Sequence, residues 1–158
     1  MNMKFFGDGL HGGAAHLDTA KVFDGLDWQQ AGQKGGNFPH SIWEQLFHMN
    51  YWQTFMLDCL SGDMPIGDNF DAESWPPTTA PESEDEWESA IAYYLKGLKE
   101  AELEAGKDLS ERVMAGREET RADYLQTIML HNSYHAGQVV FARKIMGAWP
   151  LPSGGDAE

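Results

Sequence analysis

Residues 83–105 read SEDEWESAIAYYLKGLKEAELEA. Ser83 with Glu86 three residues later is a capping box, and the acids of this first turn suit the positive end of a helix dipole. Trp87, Ala90, Ile91, Tyr94, Leu95, Leu98, Ala101 and Ala105 then form an almost unbroken i, i+3, i+4, i+7 series. That period is one buried face of a long helix. Two other segments follow the same grammar. Ser41-Ile42-Trp43-Glu44 is a second capping box, opening a helix that runs to about Ser61 before Gly62 supplies a left-handed stop. Thr120, with Asp123 three later, opens another that runs to about Met146 and closes at Gly147 and Pro150.

A weaker period, Leu17, Ala20, Phe23 and Leu26, predicts a first helix over residues 17–26, with Gly25 weakening its end and one further turn over 27–31 capped by Asp27. No segment of useful length alternates with period two, so no sheet is expected. The link over residues 62–82 contains Pro65, Pro76, Pro77 and Pro81 and no apolar period. At ~3.3 Å per extended residue, a link of ~20 residues travels the whole ~30 Å of a 20-residue helix. Helices two and three are therefore free to run parallel, joined by a crossover. The reading is all-α: a four-helix bundle with a long crossover between helices 2 and 3, one domain over residues 1–158, with a loose tail over 151–158.

Composition narrows the function. The chain has 158 residues, 25 acidic against 11 basic side chains and a net charge of −14. A field of that sign repels phosphate backbones, which argues against nucleic acid as a partner. No run approaches the ~18 apolar residues of a membrane span, and the N-terminal stretch lacks the pattern of a secretory signal. A single cysteine, Cys59, forms no internal disulfide and fits a reducing, cytoplasmic setting.

The chemistry lies in the histidines. With His131 at zero and ~100° per residue, His135 falls at about 40° and Gln138 at about −20°, on the face carrying Ile128, Val139 and Ala142. On helix two, His48 shares an inward face with Trp52, Phe55, Cys59 and Glu44. Three imidazoles buried without partners cost several kcal/mol of lost hydration. A shared divalent ion removes that cost, and an i, i+4 pair plus a third histidine from another helix is a bundle arrangement. Three protein ligands leave open coordination positions.

The segment Pro39-His40-Ser41-Ile42-Trp43-Glu44-Gln45-Leu46-Phe47-His48, together with His131-Asn132-Ser133-Tyr134-His135-Ala136-Gly137-Gln138, resembles the DinB/YfiT-like superfamily. The resemblance extends over nearly the whole chain, from the Gly25-Leu26-Asp27-Trp28 turn to the closing Met146-Gly147-Ala148-Trp149-Pro150. It implies the crossover bundle and one divalent metal held by His48, His131 and His135. Some relatives act as thiol-dependent S-transferases or isomerases, and many have no assigned activity. The expectation is a metal-dependent enzyme, a hydrolase or a low-molecular-weight-thiol S-transferase acting on a small molecule. The alternative is a non-catalytic metal-binding stress or partner-binding bundle. Zinc or nickel is the expected ion, with iron open, because imidazole suits all of these. A homodimer through a helix face also fits.

Flanking residues have two readings each. Glu44 either orients His48 or acts as a general base, or it only completes its capping box. Gln138 either bonds a ligand ring or is ordinary helix-face polarity. Tyr51 and Tyr134 are pocket candidates, and Cys59 reads as core. Among His11, His16 and His40, His16 is the best candidate for a pocket rim. Whether Trp43, Trp52 and Phe55 fill the space above the ion decides between enzyme and simple binder.

Overall fold

The computed structural model describes residues 3–154. The helix starts arise as their residues dictate. Ser41 Oγ accepts from Glu44 N–H while the Glu44 carboxylate accepts from Ser41 N–H at 2.7 Å, and α3 (Ile42–Leu60) begins there. Ser83 Oγ accepts from Glu86 N–H at the head of α5 (Glu84–Ala105). The Asp123 carboxylate accepts from both the N–H and the hydroxyl of Thr120 at the head of α6 (Arg121–Ile145). Shorter elements complete the chain: α1 (Met3–Leu10), a 3-10 turn (Thr19–Lys21), α2 (Trp28–Ala31) and α4 (Phe70–Glu73). Among the described residues the only β pairing is an isolated antiparallel bridge between Arg112 and Thr120, and no helix is long and apolar enough to cross a membrane.

Side-chain bonds fix the helix directions. Asn50 Nδ2 donates to the Ala90 carbonyl, Gln53 Nε2 to that of Tyr94, and Leu60 packs with Ala101 and Ala105. Residue numbers rise together, so α3 and α5 are parallel and the link between them is a true crossover. Against α6 the order reverses: Gln45 meets His135 and His48 meets His131, so α3 and α6 are antiparallel. Two apolar clusters fill the interior, one around Trp43, Leu46, Trp87, Tyr94 and Leu98, the other around Phe6, Leu10, Leu60 and Leu125. Full burial of each such side chain is worth about 1.5–3 kcal/mol.

The expected first helix over residues 17–26 is a correction. Phe23 and Leu26 are buried as their period implies, but the backbone makes only the 3-10 turn, begun when Asp18 Oδ1 accepts from Ala20 N–H. Its carbonyls are taken by distant donors. The Arg143 guanidinium, 1% exposed, donates to Val22 O and Asp24 O at 2.8 Å each, and Trp87 Nε1 donates to Leu26 O at 3.0 Å. Gly25 sits at φ +74°, outside helical space. The fourth bundle helix is α1 instead, which buries Phe6 and Leu10 one turn apart. Gly9 lets it approach α6, since a Cβ there would lie 2.2 Å from Met129 Sδ. The expected loose tail differs at its start: Leu151 is buried and Ser153 Oγ bonds Asp24 Oδ2 at 2.9 Å. Residues 155–158 lie outside the described residues.

Candidate metal centre

Antiparallel packing of α3 on α6 brings His48 to His131 and His135. Ligand-capable nitrogens of the three rings all lie within 4.8 Å of one another. His48 Nε2 and His131 Nε2 are 3.3 Å apart, and the ring centroids are separated by 4.4–5.1 Å.

Hydrogen bonds on the far nitrogens set the tautomers. His135 Nδ1 faces two acceptors, Gln45 Oε1 at 2.6 Å and Gln138 Oε1 at 2.8 Å, so Nδ1 carries the proton and Nε2 keeps its lone pair. His48 Nδ1 lies 3.1 Å from Ser74 Oγ, whose own hydrogen goes to the Asp71 carbonyl at 2.8 Å. Ser74 is therefore an acceptor, Nδ1 of His48 donates, and its Nε2 lone pair faces His131. Two rings thus keep Nε2 unprotonated in a cluster of three imidazoles, a donor set that could hold a metal ion.

Electrostatics support the same state. Burial, followed by the neighbouring imidazoles, pushes His131 down to about 3 and His135 down to about 4. Burial also lowers His48, against the opposing effect of Ser74. The rings are neutral at pH 7, as ligation requires.

The crossover supplies a wall that the sequence did not reveal. Trp75 stacks on His48 at 4.0 Å between centroids and also on His40 at 3.8 Å. Trp52 meets His48 edge-on at 6.4 Å. A cavity of about 50 Å³ walled by Trp52, Met56 and Ile128 is lined by His131 but by neither His48 nor His135. That space suits a water molecule or a single small ligand group. Trp43 and Phe55 belong elsewhere: they line a cavity of about 620 Å³ on the α3–α5 side, which none of the three histidines lines.

The flanking residues separate clearly. Gln138 Oε1 accepts from His135 Nδ1. The Glu44 carboxylate accepts from Ser41 N–H and pairs with Lys34 Nζ at 3.3 Å, while His40 Nδ1 stands 3.6 Å away without a hydrogen bond to it. Burial raises its pKa, but the hydrogen bonds from Ser41 and Lys34 outweigh this and hold it below the usual carboxylate range. Tyr51 donates to Glu73 at 3.0 Å, Tyr134 is exposed with its ring edge-on to His135, and Cys59 is buried. His16 pairs with Ser133, which α6 turns away from the cluster. His40, through Trp75, stands nearer to the site than His16.

Gln45, Ser74 and Trp75 were missed from sequence. Gln45 had a signal, lying one turn before His48 on its inward side. Ser74 and Trp75 sit in the aperiodic crossover, where only the fold shows what they touch.

Residues 14–139 match the family model described as the DinB superfamily. No curated protein and no solved structure matches the chain.

Proposed function

This chain belongs to the DinB superfamily, and we propose that it is a metal-dependent enzyme in which His48, His131 and His135 hold one divalent ion, zinc or nickel before iron. The observation that supports this reading best is the tautomer pattern. Gln45, Gln138 and Ser74 tie up the outer nitrogens of two rings and leave each with an Nε2 lone pair in the cluster of three imidazoles. An ion held by three neutral imidazoles supplies a Lewis acid that lowers the pKa of a water or thiol.

The protein's own residues do the rest. Gln45 and Gln138 orient His135, Ser74 orients His48, and Trp75 and Trp52 cover the imidazoles and keep bulk water from them. Glu44, with its depressed pKa and its bonds to Ser41 and Lys34, acts through the start of α3 rather than as a proton acceptor. Three neutral imidazoles would leave an ion its full charge for a water or for the sulfur of a small thiol, so hydrolysis and thiol S-transfer are the two reactions this reading favours. The packing of Trp52 and Trp75 against His48 favours the second reading, a bundle that binds metal without turnover.

Cobalt substitution tests the choice. Expected is one ion per chain and a change in the cobalt spectrum when a cysteine-type thiol is added. A spectrum indifferent to every thiol leaves hydrolysis or plain binding. Failure of the His135→Ala protein to lose metal refutes the site itself.

A further inference from the structure

The cavity on the α3–α5 side is chemically unlike the metal centre, and none of the three histidines lines it. It holds about 620 Å³, within the range of small-molecule sites, and its lining follows α3 from Trp43 to Asp58, ~22 Å of helix. Six aromatic side chains line it: Trp43, Phe47, Tyr51 and Phe55 from α3, Phe70 from α4 and Tyr93 from α5. Phe55 and Phe70 meet edge-on with centroids 5.1 Å apart, so the crossover closes one side. Both tyrosine hydroxyls are engaged, Tyr51 donating to Glu73 and Tyr93 bonded to Thr54, each at 3.0 Å, which fixes the two rings.

Charge selects the sign of a ligand. Asp58 and Glu86 are the only charged side chains on the lining, and neither belongs to an ion pair among the described residues. The bond from Asn50 to Ala90 puts Glu86 toward the Trp43 end, while Asp58 lies at the other. A carboxylate thus stands near each end of the aromatic run. No lysine, arginine or histidine lines the cavity, and the whole chain carries a net charge of −14. Aromatic faces beside unpaired carboxylates, with no competing cation, attract an organic cation and repel an anion.

Two lining residues also hold buried polar atoms without a partner. Trp43 is 5% exposed, and its indole N–H donates to nothing. Asn50 gives Nδ2 to the Ala90 carbonyl at 2.9 Å, but its Oδ1 accepts from nothing. A buried polar atom left unpaired calls for a partner from outside the chain. An ammonium N–H suits Asn50 Oδ1, and a ligand oxygen suits the Trp43 N–H. We propose that this cavity is a second binding site, which takes an amine with an apolar body: the ammonium lies at a carboxylate end and the body lies against the rings.

Isothermal titration calorimetry of the full chain tests this with phenylbutylamine, phenylbutanol and phenylbutyrate, which differ only in the end group. The amine should bind once per chain with a dissociation constant of about 1 mM or below. It should bind ~5-fold tighter than the alcohol, and the carboxylate should bind more weakly than either. Tyr93 is 47% exposed, so Tyr93→Ala should keep its helical circular dichroism while weakening the amine about fivefold. Asp58→Asn combined with Glu86→Gln should erase the preference for amine over alcohol and leave the alcohol unchanged. Saturating zinc should alter the amine affinity by no more than about twofold, because the histidines lie elsewhere. An amine that does not bind, that binds no better than the alcohol, or that zinc displaces overturns the proposal. So does tighter binding of the carboxylate, or a folded Tyr93→Ala chain or double variant that binds all three probes as the parent does.

Discussion

One Nδ1–H of His135 is shared between the carbonyl oxygens of Gln45 and Gln138, so either alone can hold the tautomer. Gln45→Ala and Gln138→Ala are each expected to weaken metal binding by no more than about tenfold, and the double substitution by about a hundredfold. Competition against a chromophoric chelator measures both. His48→Ala, His131→Ala and His135→Ala should abolish tight binding outright, while His11→Ala should leave it intact. His11 has a different task. Burial alone would lower its pKa, but the hydrogen bonds to Asp18 and Glu102 outweigh this and raise it. A group raised in the folded state contributes stability below its unfolded pKa of ~6.5 and loses that contribution as pH rises through the folded value. His11→Ala should therefore destabilise the protein more at about pH 6 than at about pH 9, as urea midpoints at the two pH values would show.

At the scale of elements, Arg143 determines more than its own helix. Its guanidinium satisfies Val22 O, Asp24 O and, through Nε, Ala148 O at 3.0 Å. Arg143→Met keeps most of the volume but leaves buried carbonyls without donors. The expected loss is about 2–4 kcal/mol, read from denaturant unfolding, with the segment before Gly25 loosened first in hydrogen exchange. This residue also shows where sequence reading stops. The helices α3, α5 and α6 were legible because cap, period and stop are all local. Residues 17–26 carried a correct burial pattern and a wrong secondary structure, because the donors that claim their carbonyls, Trp87 and Arg143, lie 61 to 121 positions away. The helix α1 was illegible for the opposite reason: eight residues with two glycines offer only Phe6 and Leu10 as a period. The site divides the same way. A helical wheel places His48, His131 and His135 on inward faces, whereas Ser74 and Trp75 come from a crossover whose path only packing determines.

For the molecule as a whole, the parallel arrangement of α3 and α5 sets the order of assembly. The antiparallel neighbours α5 and α6 are joined by residues 106–120, a shorter link than the crossover over 61–83, and can pair early. The helix α3 reaches α6 only after the intervening chain has folded back, and the contact between His48 and His131 closes a loop of 83 residues. Closing loops of that length slows folding when it belongs to the rate-limiting step. If α3 docks onto a formed α5–α6 pair, the three imidazoles meet only on the native side of the barrier. An ion at this site then acts as a clasp on the finished structure and not as a template for building it. Saturating metal should slow unfolding by the full factor of its stabilisation and leave the refolding rate unchanged, because contacts absent from the transition state affect only the unfolding limb. Stopped-flow chevrons with and without metal distinguish the two: a faster refolding arm would place His48 beside His131 before the barrier is crossed.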